Sequence, residues 1–268
     1  MGMGSWKHSV RISIEGDDHV QEDECGFAGA TVWVLDGASS LLPQLGLPGP
    51  SDPSWYARQL DRLLTEAAVA AEGTGNADLS APAVLADALG RMDKLAASLV
   101  GGERVRFPSA AMCLAQLTGE GVEVLALADC HAVVELEDGS TVHVTHEPAD
   151  IRIRPEESAD PLRERELRIR DRELRNTPGR LWVARREVEA ADQARTVRLG
   201  PPRRMVLASD GAWRAVELGI VQGPAEFLDA ARSPLAAQQM LLSLRTVQTE
   251  TGESADDATL LTVERTSS

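Results

Sequence analysis

Acidic residues stand beside several of the apolar runs in this chain. Asp36 and Asp210 each end an apolar run and precede a glycine, and Asp256 stands just ahead of another apolar run. Glu22 and Asp23 add an acidic pair near the start of the chain. Carboxylate oxygens are the ligands that the hard cations Mg²⁺ and Mn²⁺ take, usually together with several waters. Two such ions that share one water would create a nucleophile for hydrolysis.

The elements that flank the first of these acids are predicted to be strands. Residues 10–14 alternate apolar and polar side chains, and residues 31–36 form a mostly apolar run that ends in the carboxylate of Asp36. We expect these two strands to pair in the antiparallel sense and to bring their carboxylates together. Residues 15–24 between them are too acidic to be interior unless a cation lies there.

The rest of the pattern predicts two long helices between blocks of strands. The first helix is expected to begin near Ser51 or Asp52, and the second to span about residues 81–99 with one apolar face. A tight break at Asp129 is predicted between two short strands. The further strands expected are residues 110–117, 122–128, 132–136, 141–144, 205–208 and 258–263, and the further helices are 225–231 and 234–249. This order predicts an α+β protein in which helices cover two sheets.

Length and composition indicate one catalytic domain. The chain has 268 residues, of which 43% are hydrophobic, and this is enough to bury one substantial core. We therefore expect a single domain over residues 1–268. Residues 155–180 are expected to leave the sheet as a charged helical excursion, stabilised by ion pairs four residues apart.

Charge and cysteine content narrow the partners and the compartment. Asp and Glu number 42 against 27 Lys and Arg, and the net charge of −15 argues against nucleic acid or an anionic membrane as the main partner. No window approaches the roughly 20 apolar residues of a membrane span. Cys25, Cys113 and Cys130 show no C-x-x-C spacing, so we expect reduced thiols in the cytoplasm.

The histidines that follow Asp129 are assigned no catalytic role. His131, His143 and His146 fall in strand-like runs, and we expect them on strand surfaces. Trp213 is expected in the core or in the wall of a cleft.

Five short motifs, taken in order, resemble those of a known enzyme family. They are Gln21-Glu22-Asp23, Leu35-Asp36-Gly37, Ala128-Asp129-Cys130-His131, Leu207-Ala208-Ser209-Asp210-Gly211-Ala212-Trp213 and Asp256-Asp257-Ala258-Thr259-Leu260-Leu261. Their order and spacing, over about residues 8–264, resemble the metal-dependent type 2C serine/threonine protein phosphatases, the PPM family. The chain is similar to a divergent bacterial member. A lone Ser-Asp-Gly would mean little, whereas five motifs in sequence are specific.

This resemblance implies a fold and a metal centre. It implies a central β-sandwich of two antiparallel sheets flanked by helices, with two Mn²⁺ or Mg²⁺ ions in a cleft at one edge. In this scheme Asp36 bridges both ions, and Asp23 holds a metal-bound water. The metal ligands implied are the side chains of Glu22, Asp36, Asp210 and Asp256 and the carbonyl group of Gly37.

Three positions depart from the family pattern. Asp18 stands where a phosphate-binding arginine is common, Ala38 where a histidine is proposed as general acid, and Arg214 where an acid helps to hold a third ion. His19 could donate the proton instead. The phosphate contact could come from an arginine of the charged excursion. The candidates are Arg163, Arg165, Arg168, Arg170, Arg172, Arg175 and Arg180.

The first functional hypothesis is hydrolysis of phosphoserine or phosphothreonine in proteins by a water that bridges two Mn²⁺ or Mg²⁺ ions. The substrate would be a phosphorylated protein, and the enzyme would oppose a serine/threonine kinase. The alternative is a catalytically weak phosphatase-like module that binds a phosphoprotein or a kinase in a regulatory role. The intact acids favour the enzyme, whereas Asp18 and Ala38 favour the binding module. Hydrolysis of a small phosphorylated metabolite is a third hypothesis.

Overall fold

Nine strands and seven helices form over the residues that the computed structural model describes, which are 5–17, 20–73, 80–146 and 160–266. The strands are β1 Ser5–Ile14, β2 Glu24–Ala28, β3 Thr31–Gly37, β4 Ala110–Leu117, β5 Val122–Leu136, β6 Thr141–His146, β7 Arg195–Leu199, β8 Pro202–Ala208 and β9 Ala258–Thr266. The helices are α1 Asp52–Gly73, α2 Ala81–Val100, α3 Pro161–Leu174, α4 Ala190–Gln193, α5 Asp210–Glu217, α6 Pro224–Ala230 and α7 Pro234–Thr251.

The strands form two antiparallel sheets that share β5. One sheet has the order β2-β3-β4-β5-β7, and the other has the order β1-β9-β8-β5-β6. β5 passes from the first sheet to the second at Ala128, whose φ of 57° is left-handed. The register of β5 with β6 shifts between Ala128 and Ala132. The predicted break at Asp129 is therefore wrong, because this residue lies at a bend within one long strand.

Three apolar clusters lie between the layers of the fold. Val34 of β3 and Leu207 of β8 belong to the cluster between the two sheets. Trp33 belongs instead to the cluster under α1 and α2, because successive side chains of a strand point to opposite faces. Phe227 of α6 and Leu260 of β9 belong to the third cluster, under the C-terminal helices. The layers run helix, sheet, sheet, helix, which confirms the expected α+β sandwich.

The predicted pairing of the first two strands is wrong. β1 pairs with β9 along its whole length, from Ser5 opposite Thr266 to Ile14 opposite Ala258. β3 pairs with β2 and β4. The short strand β2 follows the acidic stretch directly and lacks a clear alternation, so the sequence pattern does not reveal it. The mostly exposed strand β7 and the short helices α4 and α5 were also not predicted.

The long helices and the charged excursion follow the prediction more closely. α1 begins at Asp52 and α2 at Ala81, where the side chain of Ser80 accepts a hydrogen bond from the backbone N–H of Ala83. In the excursion, α3 begins after Asp160, whose side chain accepts from the backbone N–H of Leu162. The first part of the excursion, residues 155–159, lies outside the described residues. No described helix is long and apolar enough to span a membrane.

Candidate metal centre

Two of the predicted acids meet at one edge of the sandwich. Asp36 is next to last in β3, and Asp210 is the first residue of α5, directly after β8 and Ser209. The backbone N–H of Asp210 donates a hydrogen bond to Oδ2 of Asp36 over 3.3 Å, although the residues are 174 positions apart. A helix N-terminus favours a nearby anion, so α5 stabilises the carboxylate of Asp36.

Burial and mutual repulsion raise the pKa values of the central acids. Burial raises the pKa of Asp36 well above its usual value, and the charges of Asp210, Asp23 and Asp129 raise it further. Burial, followed by the charge of Asp129, raises the pKa of Asp210 to about 7. Burial and the charge of Asp257 likewise raise the pKa of Asp23 well above its usual value.

Asp36 and Asp210 share a hydrogen bond between their side chains. In Asp36, burial and the neighbouring charges raise the pKa most, and this bond raises it further. In Asp210, burial raises the pKa most, and this bond lowers it. The two carboxyl groups are therefore in direct contact. A divalent cation would offset their repulsion, because it neutralises both carboxylates at once.

Glu22 is held in place by two serine hydroxyls. Ser39 donates to Oε2 of Glu22 over 2.8 Å, and Ser51 donates to Oε1 over 2.7 Å. The backbone N–H of Glu22 donates to Oδ2 of Asp257 over 2.6 Å, and the N–H of Gly16 donates to Oδ1 of the same residue. Asp257 therefore anchors the segment that carries Glu22. The sequence analysis assigned no site role to the serines or to Asp257, although Ser51 was a candidate helix start and Asp257 belongs to the last motif.

Close backbone approach explains the glycines that follow two of the acids. A Cβ atom on Gly37 would lie 2.3 Å from the carbonyl oxygen of Glu22. A Cβ atom on Gly211 would lie 2.0 Å from the carbonyl oxygen of Asp257. Any side chain at these positions would push the acidic segments apart, because real Cβ atoms do not approach so closely.

A polar cavity of about 280 Å³ opens beside Asp210. Its lining includes Asp129 and Asp256, and the charge of Asp256 contributes to the raised pKa of Asp210 after burial and Asp129. Arg214 also lines the cavity, where its Nε and Nη2 donate to the carboxylate of Glu253 over 2.8 and 2.9 Å. The arginine that departs from the family pattern is thus neutralised by a bidentate ion pair.

The histidines near Asp129 do not all lie on strand surfaces. His131 is only 8% exposed, and its ring is stacked on Trp213 with 4.3 Å between the ring centroids. Its Nδ1 lies 2.9 Å from Nε2 of His143. Burial and, to a smaller extent, the charge of His143 lower the pKa of His131 to about 3. The ring is therefore neutral at pH 7 and cannot act as an acid in its imidazolium form. The surface prediction is wrong for His131 because Trp213 and the cavity wall cover it.

The cysteines are buried and unreactive. Cys25, Cys113 and Cys130 are all free thiols in the interior. Burial raises the pKa of Cys130 well above its usual value, and the charge of Asp36 adds to this shift. A thiol that stays protonated is a poor nucleophile.

The donor set fits a hard divalent cation in chemistry and in charge. Among the described residues, Oδ2 of Asp23 is a buried oxygen without a hydrogen-bond partner. The charges of Asp36, Asp210 and Asp23 repel one another, and a cation would offset this repulsion. Within the described part of the chain, no three acidic, histidine or cysteine side chains are arranged to hold an ion as they stand. Binding would therefore draw these oxygens closer together.

Several assignments within the predicted site stay predictions. Asp18 and His19 lie outside the described residues, so the departure at Asp18 and the proposed proton donor His19 stay predictions. The assignment of Glu22, Asp36, Gly37, Asp210 and Asp256 as metal ligands also stays a prediction.

In the metal-free protein, the free energy of unfolding is expected to fall as the pH rises from about 4 to 7. The pKa of Asp210 is raised from 3.8 to about 7, so the folded state binds a proton that the unfolded state releases. The stabilising contribution is complete below pH 4 and is lost as the pH passes 7. Asp210→Asn should flatten this dependence, by on the order of a few kcal/mol.

Urea unfolding in EDTA at a series of pH values measures this effect. Asp192→Asn, a change at an exposed aspartate of α4, is the matched control. The prediction fails if the wild type and Asp210→Asn show parallel pH profiles.

Ser51→Ala is expected to lower the free energy of unfolding by about 1–2 kcal/mol. The Ser51 hydroxyl donates to Glu22 and accepts a hydrogen bond from the backbone N–H of Ser54 over 3.1 Å, so it also caps α1. Ser39→Ala removes a hydroxyl that also donates to Glu22 but lies on an exposed residue, and a smaller loss is expected. Equal losses for the two variants in urea unfolding would contradict the capping role.

Comparisons with known proteins support the fold. No protein-family model matches the chain, and no curated protein sequence matches it. Among solved structures, the Mycobacterium tuberculosis serine/threonine phosphatase PstP/Ppp is similar over 97% of this chain and 98% of its own, with a TM-score of 0.61 and 14% identity. PstP in complex with two manganese ions matches over 98% and 100% of the two chains, with a TM-score of 0.50 and 14% identity.

A third solved structure is PppA, described as a key regulatory component of T6SS in Pseudomonas aeruginosa. It matches over 98% of this chain and 99% of its own, with a TM-score of 0.54 and 16% identity. Since these matches cover nearly the whole chain, the fold is that of the type 2C serine/threonine phosphatases. The resemblance seen in the five sequence motifs is thereby confirmed at the level of the fold.

Proposed function

We propose that the protein is a metal-dependent phosphatase that hydrolyses phosphoserine or phosphothreonine in other proteins, in the cytoplasm. The observation that carries this proposal is the cluster of the buried Asp23 with the half-buried Asp36 and Asp210, whose mutual repulsion calls for a cation, in a chain with a phosphatase fold. A solved structure of similar fold is a complex with two manganese ions.

The residues of this chain have distinct parts in the proposed reaction. Asp36 and Asp210 would hold the ions, together with Glu22, Asp256 and the carbonyl group of Gly37. Bound Mn²⁺ or Mg²⁺ supplies charge neutralisation for the phosphoryl oxygens and a water that is more acidic than bulk water.

Asp23 is suited to orient water and to accept a proton from it. Its Oδ2 has no hydrogen-bond partner among the described residues, and burial raises its pKa, so it is more basic than an exposed aspartate. Hydrogen bonds from Ser209 and Thr259 hold the side chain in place. His19 would protonate the departing serine or threonine oxygen. The reaction would reverse the action of a serine/threonine kinase.

The serine contacts of Glu22 favour a second candidate function. Each carboxylate oxygen of Glu22 accepts a hydrogen bond from a serine hydroxyl, which leaves fewer lone pairs for a metal ion. A protein with a weak second metal position would be a poor catalyst but could bind a phosphoprotein or a kinase in a regulatory role.

Hydrolysis of p-nitrophenyl phosphate and of a phosphothreonine peptide, each with Mn²⁺ or with EDTA, tests the proposal. Turnover of both esters that requires Mn²⁺ is expected. Turnover of the aryl ester alone would show that no general acid serves an alkoxide leaving group, because nitrophenolate leaves without protonation. Absence of metal-dependent turnover on either ester would reject the enzyme in favour of the binding module.

A further inference from the structure

One arginine of α3 differs from its neighbours. Four arginines of this segment form ion pairs with acids three or four residues away along the helix: Arg163 with Glu166, Arg168 with Glu164, Arg170 with Glu173 and Arg175 with Asp171. Arg172 has no ion pair among the described residues, and its buried Nε has no hydrogen-bond partner. Acids of the same segment neutralise these four arginines, whereas the guanidinium of Arg172 is left available to a ligand.

Arg172 is half-buried beside two other arginines, Arg175 and Arg185. Burial lowers the pKa of Arg172 to about 10, and the charges of Arg175 and Arg185 lower it further, against the charges of Asp171 and Glu22. The guanidinium therefore remains charged at pH 7. An unpaired charge in a buried place costs folding free energy, and such groups are typical of binding sites.

Contacts on both sides attach α3 to the segments beside the acidic cluster. Nη2 of Arg165 donates to the carbonyl oxygen of Leu41, two residues after Ser39, over 3.1 Å. Nη2 of Arg185 donates to the carbonyl oxygen of Arg175 over 3.3 Å, and the hydroxyl of Tyr56 donates to the carbonyl oxygen of Arg185 over 2.8 Å. Tyr56 belongs to α1, which begins beside the serine that holds Glu22. α3 is thus attached to the segment after Ser39 and, through Arg185, to α1, and the charge of Glu22 acts on Arg172.

We propose that Arg172 binds the phosphoryl group of the substrate, in place of the arginine that the family has at the position of Asp18. The planar guanidinium can donate two parallel hydrogen bonds to one phosphate, which a lysine at the same place could not do. The ligand is a phosphomonoester dianion that approaches the acidic cluster from the side of α3. This assignment rests on the proposed function for the identity of the ligand.

Binding of inorganic phosphate to the Mn²⁺-loaded protein, measured by calorimetry, tests this role. Arg172→Met is expected to weaken phosphate binding by about ten- to a hundredfold, the loss typical of one charge-assisted contact. The same variant should keep or raise the melting temperature, because methionine fills the buried space without an unpaired charge. Arg170→Met, at an exposed arginine paired with Glu173, is the matched control and should bind phosphate as the wild type does.

Competition by a phosphothreonine peptide and by its unphosphorylated form separates an esterified phosphate from the free ion. Only the phosphorylated peptide is expected to displace phosphate from the wild type. The same peptide should displace phosphate only weakly from Arg172→Met. Equal phosphate affinity in the wild type and Arg172→Met, or no phosphate binding by the wild type, would overturn the assignment. So would a weaker affinity together with a lower melting temperature, since Arg172 would then be structural.

The assignment and the proposed function can fail separately. Phosphate binding that depends on Arg172 without ester hydrolysis would reject the enzyme and retain the phosphate site. Hydrolysis with an unchanged KM in Arg172→Met would retain the enzyme and reject the site.

Discussion

Asp36→Asn is expected to reduce Mn²⁺-dependent hydrolysis of p-nitrophenyl phosphate by more than about 100-fold, the upper loss typical of residues that only support a metal ligand. Asp36 is half-buried, the charges of Asp210, Asp23 and Asp129 act on it, and it contacts the N-terminus of α5. An amide in its place keeps the shape and removes the charge that would hold the ions.

The same substitution is expected to stabilise the metal-free protein at pH 7. It removes one of several repelling carboxylates, and an amide can donate to Asp210 without being protonated. Thermal unfolding in EDTA measures this gain, and Asp192→Asn serves as the exposed control. Wild-type turnover by Asp36→Asn would refute the catalytic role, and a lower melting temperature without metal would refute the repulsion.

Gly37→Ala is expected to cost about 3 kcal/mol or more of folding free energy, at the upper end for an overpacked site. The new Cβ would lie 2.3 Å from the carbonyl oxygen of Glu22 and 3.0 Å from its Cβ. Because both neighbours belong to a segment that Asp257 anchors from behind, the segment cannot move without breaking that anchor. Mn²⁺ affinity should fall together with stability, since Glu22 and Asp36 would be forced apart.

Gly119→Ala is the matched control for this experiment. A Cβ on Gly119 meets no heavy atom within 4 Å, so the change should alter the unfolding free energy by no more than about 0.5 kcal/mol. Denaturant unfolding of both variants and calorimetric titration with Mn²⁺ provide the measurements. Similar stability of the two variants would mean that the contact between Gly37 and Glu22 is not as close as described.

The fold could be predicted further than the site. Apolar runs and helical periodicity locate β3, β8, α1 and α2, and the positions of Asp36 and Asp210 at the ends of β3 and β8 follow from the runs that precede them. The partner of β1 could not be predicted, because alternation defines a strand's two faces and does not specify its neighbour.

The contacts that tune the site depend on chain segments that are distant in sequence. Ser51 lies 29 residues from Glu22, and Asp257 lies 235 residues from it, yet both bind Glu22 directly. The composition of the charged segment places Arg172 among seven candidate arginines. That its Nε lacks a hydrogen-bond partner is visible only in the structure, where the neighbouring ion pairs are in place. Propensity and spacing contain no information on such contacts.

The pairing of β1 with β9 has a consequence for synthesis on the ribosome. β1 emerges first but gains its neighbour only when residues 258–266 follow, and Asp256 and Asp257 arrive immediately before them. Until then the segment with Glu22 lacks its anchor, and Asp210 lacks the acid beside it. The nascent chain therefore carries an incomplete acidic cluster until β9 has left the exit tunnel.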